Sequence, residues 1–265
     1  MAFYRTVRAA RTARTARAVR PAAVAATVAA VAAGLLVTTG CGMVEKRKTS
    51  TADATVTEPV TAVELEDTGS GSVTVTPGDG AGVTIHRTVR YRGDREPEPG
   101  QKVSGGVLTF SDGGCDDNCS IDYELKVPAS ATVKLDSGSG DLEVTGVAAA
   151  DLHTRSGDVK ADRIAGPLTV RTSSGDITGT ALGAPTVQAE SSSGDMTLGF
   201  AKAPRSVATE ASSGDLKLRV PGGPYRVDVS TSSGDREVSV PTDPSATPRL
   251  TVRSSSGDVR ILSAP

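Results

Sequence analysis

The tripeptide Ser-Gly-Asp occurs seven times between residues 139 and 258, and this recurrence limits the fold more than any other feature. Its glycines are Gly140, Gly157, Gly175, Gly194, Gly214, Gly234 and Gly257, spaced by 17, 18, 19, 20, 20 and 23 residues. Apolar residues hold fixed offsets around each glycine. Seven and five residues before it stand Val133 and Leu135, Ala150 and Leu152, Leu168 and Val170, Val187 and Ala189, Val207 and Thr209, Val227 and Val229, and Leu250 and Val252. Two and four residues after it stand Leu142 and Val144, Val159 and Ala161, Met196 and Leu198, Leu216 and Leu218, and Val259 and Ile261. An offset of two is the strand period, so each set shares one face while Arg171, Glu190, Glu210 and Lys217 face water. Each unit therefore reads as strand, Ser-Gly-Asp corner, strand and variable loop.

A period near twenty in short strands is the mark of a solenoid, because one unit cannot bury its apolar face alone. Stacked about 4.8 Å apart, equivalent strands bond to one another and their apolar residues align into a thin continuous core. The competing architecture is an antiparallel sandwich with every Ser-Gly-Asp a hairpin turn. Tight hairpins favour Asn-Gly or Asp-Gly, whereas the order here is Gly-Asp. The expected fold is all-β: a parallel β-solenoid of about seven clear coils over residues 129–265, with a degenerate N-terminal capping section over 61–128. At a corner, Gly supplies positive φ or close approach, and Asp accepts bonds from neighbouring backbone N–H groups. Pairs such as Ser173/Ser174 and Ser192/Ser193 should form columns. Ser70-Gly71 and Ser104-Gly105 read as worn copies of the corner. Arg236 stands where an apolar residue is expected, which predicts a gap or twist in that coil. The segment from Pro241 to Pro248, with three prolines, reads as a surface loop.

Residues 1–40 read as a lipoprotein signal peptide. Six arginines (Arg5, Arg8, Arg11, Arg14, Arg17 and Arg20) precede an uncharged stretch from Ala22 to Val37, too short for a comfortable membrane span. The stretch ends in Thr38-Thr39-Gly40-Cys41, which resembles a bacterial lipobox, although Thr38 departs from the usual Leu. Lipidation at Cys41 is expected, with two or three acyl (palmitate-type) chains giving stable anchoring. Residues 41–60, including Glu45-Lys46-Arg47-Lys48, read as a flexible tether. Six of the 29 basic residues precede Cys41 and none of the 31 acidic ones does, so the mature chain carries a net charge of −8. That disfavours nucleic acid as a partner. The two remaining cysteines, Cys115 and Cys119, are expected to form a disulfide outside the cell; with no His near, metal is the lesser reading.

Tyr123-Glu-Leu-Lys-Val-Pro128, Val133-Lys-Leu-Asp-Ser-Gly-Ser-Gly-Asp141 and units such as Thr172-Ser-Ser-Gly-Asp176 resemble the bacterial putative adhesin family. These are β-strand-repeat domains of unknown function, often on exported lipoproteins. The resemblance covers most of residues 60–263 and implies the fold. It assigns no binding residue.

Little in the sequence points to catalysis. His153, beside Asp151 and near Ser156, could be drawn as a triad, but Ser and Asp recur in every repeat and a surface His is the simpler reading. The column Asp141, Asp158, Asp176, Asp195, Asp215, Asp235 and Asp258 could attract calcium, which needs six to eight oxygens; turn capping by Asp is favoured. Aromatic residues make up 3% of the chain, too few for sugar-stacking platforms. No catalytic, cofactor or metal residue is assigned, and no cofactor is expected. The expected function is that of a non-enzymatic structural or adhesive protein, lipid-anchored at the extracytoplasmic face of the cell membrane, whose partner is an envelope protein or polysaccharide. The free edge at the last coil, Val259 to Leu262, is a candidate binding edge. The alternatives are an accessory sensor or regulator of an envelope signalling system and, less favoured, a carbohydrate-active β-helix enzyme.

Overall fold

The computed structural model describes residues 46–66, 68–115 and 118–264, so Cys41 and the leader lie outside the described residues. The described chain is all strand and loop. The N-terminal strands are β1 (Lys48–Val56), β2 (Ala62–Leu65), β3 (Val73–Gly78), β4 (Val83–Tyr91), β5 (Gly100–Ser104), β6 (Val107–Ser111) and β7 (Cys119–Pro128). The repeat region then gives two strands per unit. These are β8 (Thr132–Ser137) with β9 (Leu142–Thr145), β10 (Ala149–Ser156) with β11 (Val159–Asp162), and β12 (Leu168–Ser174) with β13 (Ile177–Leu182). They continue as β14 (Thr186–Ser193) with β15 (Met196–Phe200), β16 (Ser206–Ser213) with β17 (Leu216–Val220), β18 (Arg226–Ser233) with β19 (Arg236–Ser239), and β20 (Arg249–Ser256) with β21 (Val259–Ser263).

The strand before each corner joins one sheet and the strand after it joins another. The second arms lie in an 11-stranded sheet of order β1-β4-β7-β3-β9-β11-β13-β15-β17-β21-β19, and the first arms in a 10-stranded sheet of order β18-β20-β16-β14-β12-β10-β8-β2-β6-β5. Every pairing between repeats is parallel, with equivalent residues opposite one another. One interior column runs Val133, Ala150, Leu168, Val187, Val207, Leu250, Val227. The column facing it across the core runs Leu142, Val159, Ile177, Met196, Leu216, Val259, and ends in Arg236. All the apolar members except Val227 are buried, while Arg171, Glu190 and Glu210 are exposed. The fold is thus the expected β-solenoid-like stack, and the antiparallel sandwich is excluded for the repeat region.

The connecting loops do more than return the chain. Val147, Ile164 and Ala184 are buried, and Ala165 N–H donates to Val147 O at 3.1 Å while Gly183 N–H donates to Ile164 O at 2.9 Å. The loops therefore close the third side of the wedge between the sheets.

The order of the coils at both ends departs from chain order. At the C-terminal end, β20 and β21 lie between β16/β17 and β18/β19, so the last unit in sequence is not the last in space. The expected free edge at Val259–Leu262 is therefore wrong: β21 pairs on one side with β17 and on the other with β19. Charge explains the exchange. The inward positions of the final unit are Leu250, Val252, Val259 and Ile261, all buried, whereas the preceding unit carries Arg236. Stacking that unit inside would bury an unpaired guanidinium, at a cost of several kcal/mol. Placed outermost, Arg236 is exposed, and its coil is an end with no internal gap. At the other end β2 and β3 pair with β8 and β9, while β6 and β7 lie beyond them.

Two further expectations are corrected. Residues 48–56 are not tether: β1 pairs with β4 antiparallel from Lys48↔Tyr91 to Val56↔Val83, because Ser50, Ala52, Ala54 and Val56 alternate as a half-buried face. Ser104-Gly105 is not a corner either. It turns the antiparallel β5–β6 hairpin, with Gly105 at φ 60°. Ser70-Gly71, by contrast, does stand in the corner column, since a Cβ on Gly140 would lie 1.8 Å from Gly71 O.

Candidate interaction surface

The seven corner glycines stack in one file. A Cβ on Gly157, Gly175, Gly194, Gly214 or Gly257 would lie 2.1–2.2 Å from the carbonyl oxygen of the glycine one coil back, and one on Gly234 would meet Gly257 O at 2.2 Å. The corner is thus selected for absence of a side chain. Beside it the aspartates form a ladder. Asp141 Oδ1 accepts the N–H of Asp158 at 2.9 Å, and the same bond repeats from Asp158 to Asp176, Asp176 to Asp195 and Asp195 to Asp215 at 2.8–2.9 Å. It continues from Asp215 to Asp258 at 2.9 Å and from Asp258 to Asp235 at 3.0 Å, following the spatial order of the coils. Ser72 and Asp122 extend it into the cap: Ser72 Oγ accepts Asp141 N–H at 3.3 Å, and Asp122 Oδ1 accepts Ser72 N–H at 3.1 Å. Six of the seven carboxylates are therefore engaged by a backbone donor, which offsets repulsion along the file; Asp235, at the end, only donates its N–H. Among the described residues no cluster of His, Cys, Asp and Glu could hold a metal ion.

Serines form a second file, Ser156, Ser174, Ser193, Ser213, Ser256 and Ser233, in register on neighbouring strands. A second hydroxyl row lies three residues before the glycines and points inward: before five of the seven, Ser137, Thr154, Thr172, Ser191 and Ser254 are buried, while Ala211 interrupts the row before Gly214. The sequence reading placed serine columns only at the two positions before each glycine, so this row escaped it; the recurrence of Ser or Thr at the third position was its signal.

The outer face of the first-arm sheet carries one charged column, with Asp136, His153, Arg171, Glu190, Glu210 and Arg253 in successive register. His153 Nε2 lies 3.1 Å from Asp151 Oδ1 and 3.0 Å from Arg171 Nη1, and Arg171 Nε lies 3.2 Å from Glu190 Oε2. His153 thus belongs to a solvated ion ladder, while Ser156 belongs to the serine file. Farther out on this sheet Lys134 Nζ pairs with Glu66 at 2.6 Å; their bond lowers the Glu66 pKa and raises that of Lys134.

Cys115 and Cys119 are joined as a disulfide, with Cα atoms 5.2 Å apart. The bridge lines a cleft of about 490 Å³ where the cap meets the first corner. Phe110 and Tyr123, packed edge to face at 5.1 Å, line it beside Arg155 and Ser139. Burial is the main reason the Tyr123 hydroxyl is pushed up to about 12, with nearby Arg87 opposing and Asp112 adding. No helix among the described residues is long and apolar enough to cross a membrane.

Residues 102–262 match the family model described as Toastrack DUF4097. None of the curated proteins matches. Among solved structures, the chain is similar to a putative cell adhesion protein from Clostridium sporogenes, at 12% identity over 83% of this chain and 100% of that one, TM-score 0.37. It is also similar to a putative adhesin from Bacteroides fragilis, at 13% identity over 82% and 99%, TM-score 0.45. A putative adhesin from Parabacteroides distasonis aligns at 13% identity over 81% and 97%, TM-score 0.43.

Proposed function

Because the chain belongs to the Toastrack DUF4097 family, we propose that it is a non-enzymatic interaction protein of the cell envelope, held by lipid on Cys41 at the extracytoplasmic face of the membrane. The observation that carries this reading is the regularity of the outer faces. Files of Ser, Asp and charged residues of both signs run in register along a stiff stack, a surface suited to a long, repetitive partner such as an envelope polysaccharide or an extended protein segment. The lipobox-like Thr38-Thr39-Gly40-Cys41 supports the anchor, and the aspartate ladder supports a structural role for those carboxylates.

The test has two arms. Cells expressing the wild-type chain should incorporate a palmitate analogue into it and retain it in the membrane fraction, while Cys41→Ala loses both. Glu190→Lys with Glu210→Lys should reduce attachment of expressing cells without changing the melting temperature. Unchanged labelling in Cys41→Ala would remove the anchor from the reading, and unchanged attachment would remove the charged column. A second reading, an accessory envelope sensor, draws on the cleft beside Arg155 and the disulfide, and a ligand-dependent rise in melting temperature that Arg155→Ala abolishes would favour it.

A further inference from the structure

The C-terminal end of the stack presents two free strand edges, β18 in one sheet and β19 in the other. Such an edge is a template for another chain and is usually blunted. Here the apolar residues of the end coil remain partly open: Val227 and Val229 are half-buried, and Val238 is 41% exposed, the one exposed large hydrophobic among the described residues. They border a shallow depression of about 530 Å³ together with Arg236 and Pro244.

Arg236 occupies the column that is otherwise Leu142, Val159, Ile177, Met196, Leu216 and Val259. In-register pairing with buried Val259 directs its side chain to the core side of β19, and its Nη1 reaches across to donate to Val229 O on β18 at 3.3 Å. The guanidinium therefore lies over the end of the apolar core.

We infer that this end is a self-association surface for a second copy of the chain, and that Arg236 holds it closed. The matching occupant is the same end of another molecule. The opposite end of the stack is finished by β1 and by the β5–β6 hairpin, both paired antiparallel, and so offers no coil with a corner to extend the repeat. Two C-terminal ends meeting about a two-fold axis would set their free edge strands against one another antiparallel. They would also bring both Arg236 groups into one apolar layer, which like charge and desolvation forbid. The same charge that sends this unit to the outside thus also stops the stack there.

The test is the mass of the full chain in detergent solution by size exclusion with light scattering, over a hundredfold range of concentration. The wild type should be monomeric. Arg236→Leu should double the mass with unchanged circular dichroism, and Arg236→Lys should stay monomeric. Adding Val238→Lys to Arg236→Leu should restore the monomer, which separates association through this end from general aggregation. A folded, monomeric Arg236→Leu would overturn the inference, as would association or precipitation that Val238→Lys leaves unchanged, or a wild type already dimeric through this end.

Discussion

Replacing Gly140 by Ala isolates what the corner file contributes. Gly140 is not in the positive-φ region, so the substitution brings no backbone strain of its own. The added Cβ would lie 1.8 Å from Gly71 O, 2.4 Å from Gly71 C and 2.9 Å from Ser72 N, all main-chain atoms that cannot rotate away. Restoring an ordinary contact of about 3.4 Å from 1.8 Å requires the two coils to part by roughly 1.6 Å at the corner. Three bonds cross that gap: Ser139 N–H to Gly69 O at 2.8 Å, Val73 N–H to Asp141 O at 2.9 Å, and Asp141 N–H to Ser72 Oγ at 3.3 Å. At about 1 kcal/mol each, their loss costs about 3 kcal/mol. For a chain of this size that is a fall in Tm of about 6–12 °C. Gly199→Ala is the control, since a Cβ there meets only Gly179 O, at 3.7 Å. Thermal unfolding followed by circular dichroism compares them. If Gly140→Ala melts within about 2 °C of Gly199→Ala, close approach does not govern the corner and the reasoning fails. Gly140→Val should be worse than Gly140→Ala.

Two other outcomes follow from the same geometry. Asp176→Ala removes the acceptor for Asp195 N–H and should cost about 1–2 kcal/mol in urea unfolding, while Asp176→Asn keeps an oxygen there and should cost less. Calcium should leave the melting curves of both variants and of the wild type unchanged; tight stoichiometric binding in a calorimetric titration would refute a purely structural ladder. The raised pKa of Tyr123 means that the folded state holds its proton where the unfolded chain has lost it, so this contribution is complete below pH 10 and is lost as pH rises toward 12. Alkaline unfolding of the wild type should therefore begin earlier than that of Tyr123→Phe, and identical alkaline midpoints would contradict it.

The resemblance to a β-repeat family and the in-register columns were legible because both rest on spacing. Offsets of two around each glycine define which side chains share a face, whatever the neighbours are. The disulfide was legible from the cysteine count together with the export that the leader sequence predicts. The cleft beside it was not, since Phe110, Tyr123 and Arg155 come together only through pairing of strands distant in sequence. The strand at Lys48–Val56 was missed because its buried face is built from Ser50, Ala52, Ala54 and Val56, too weakly apolar to stand out from a polar tether.

By itself the sequence determined the unit: two short strands, a glycine corner too tight for a side chain, and an aspartate to bind the next coil. It could not determine which unit lies beside which, because every unit offers the same apolar columns and the same backbone donors, so adjacent pairings are locally equivalent. Tertiary structure decided that order through a departure that the sequence showed at Arg236 and that read there only as a local gap or twist. One coil carries Arg236 at an inward position, and a charge that cannot be buried must lie at the end.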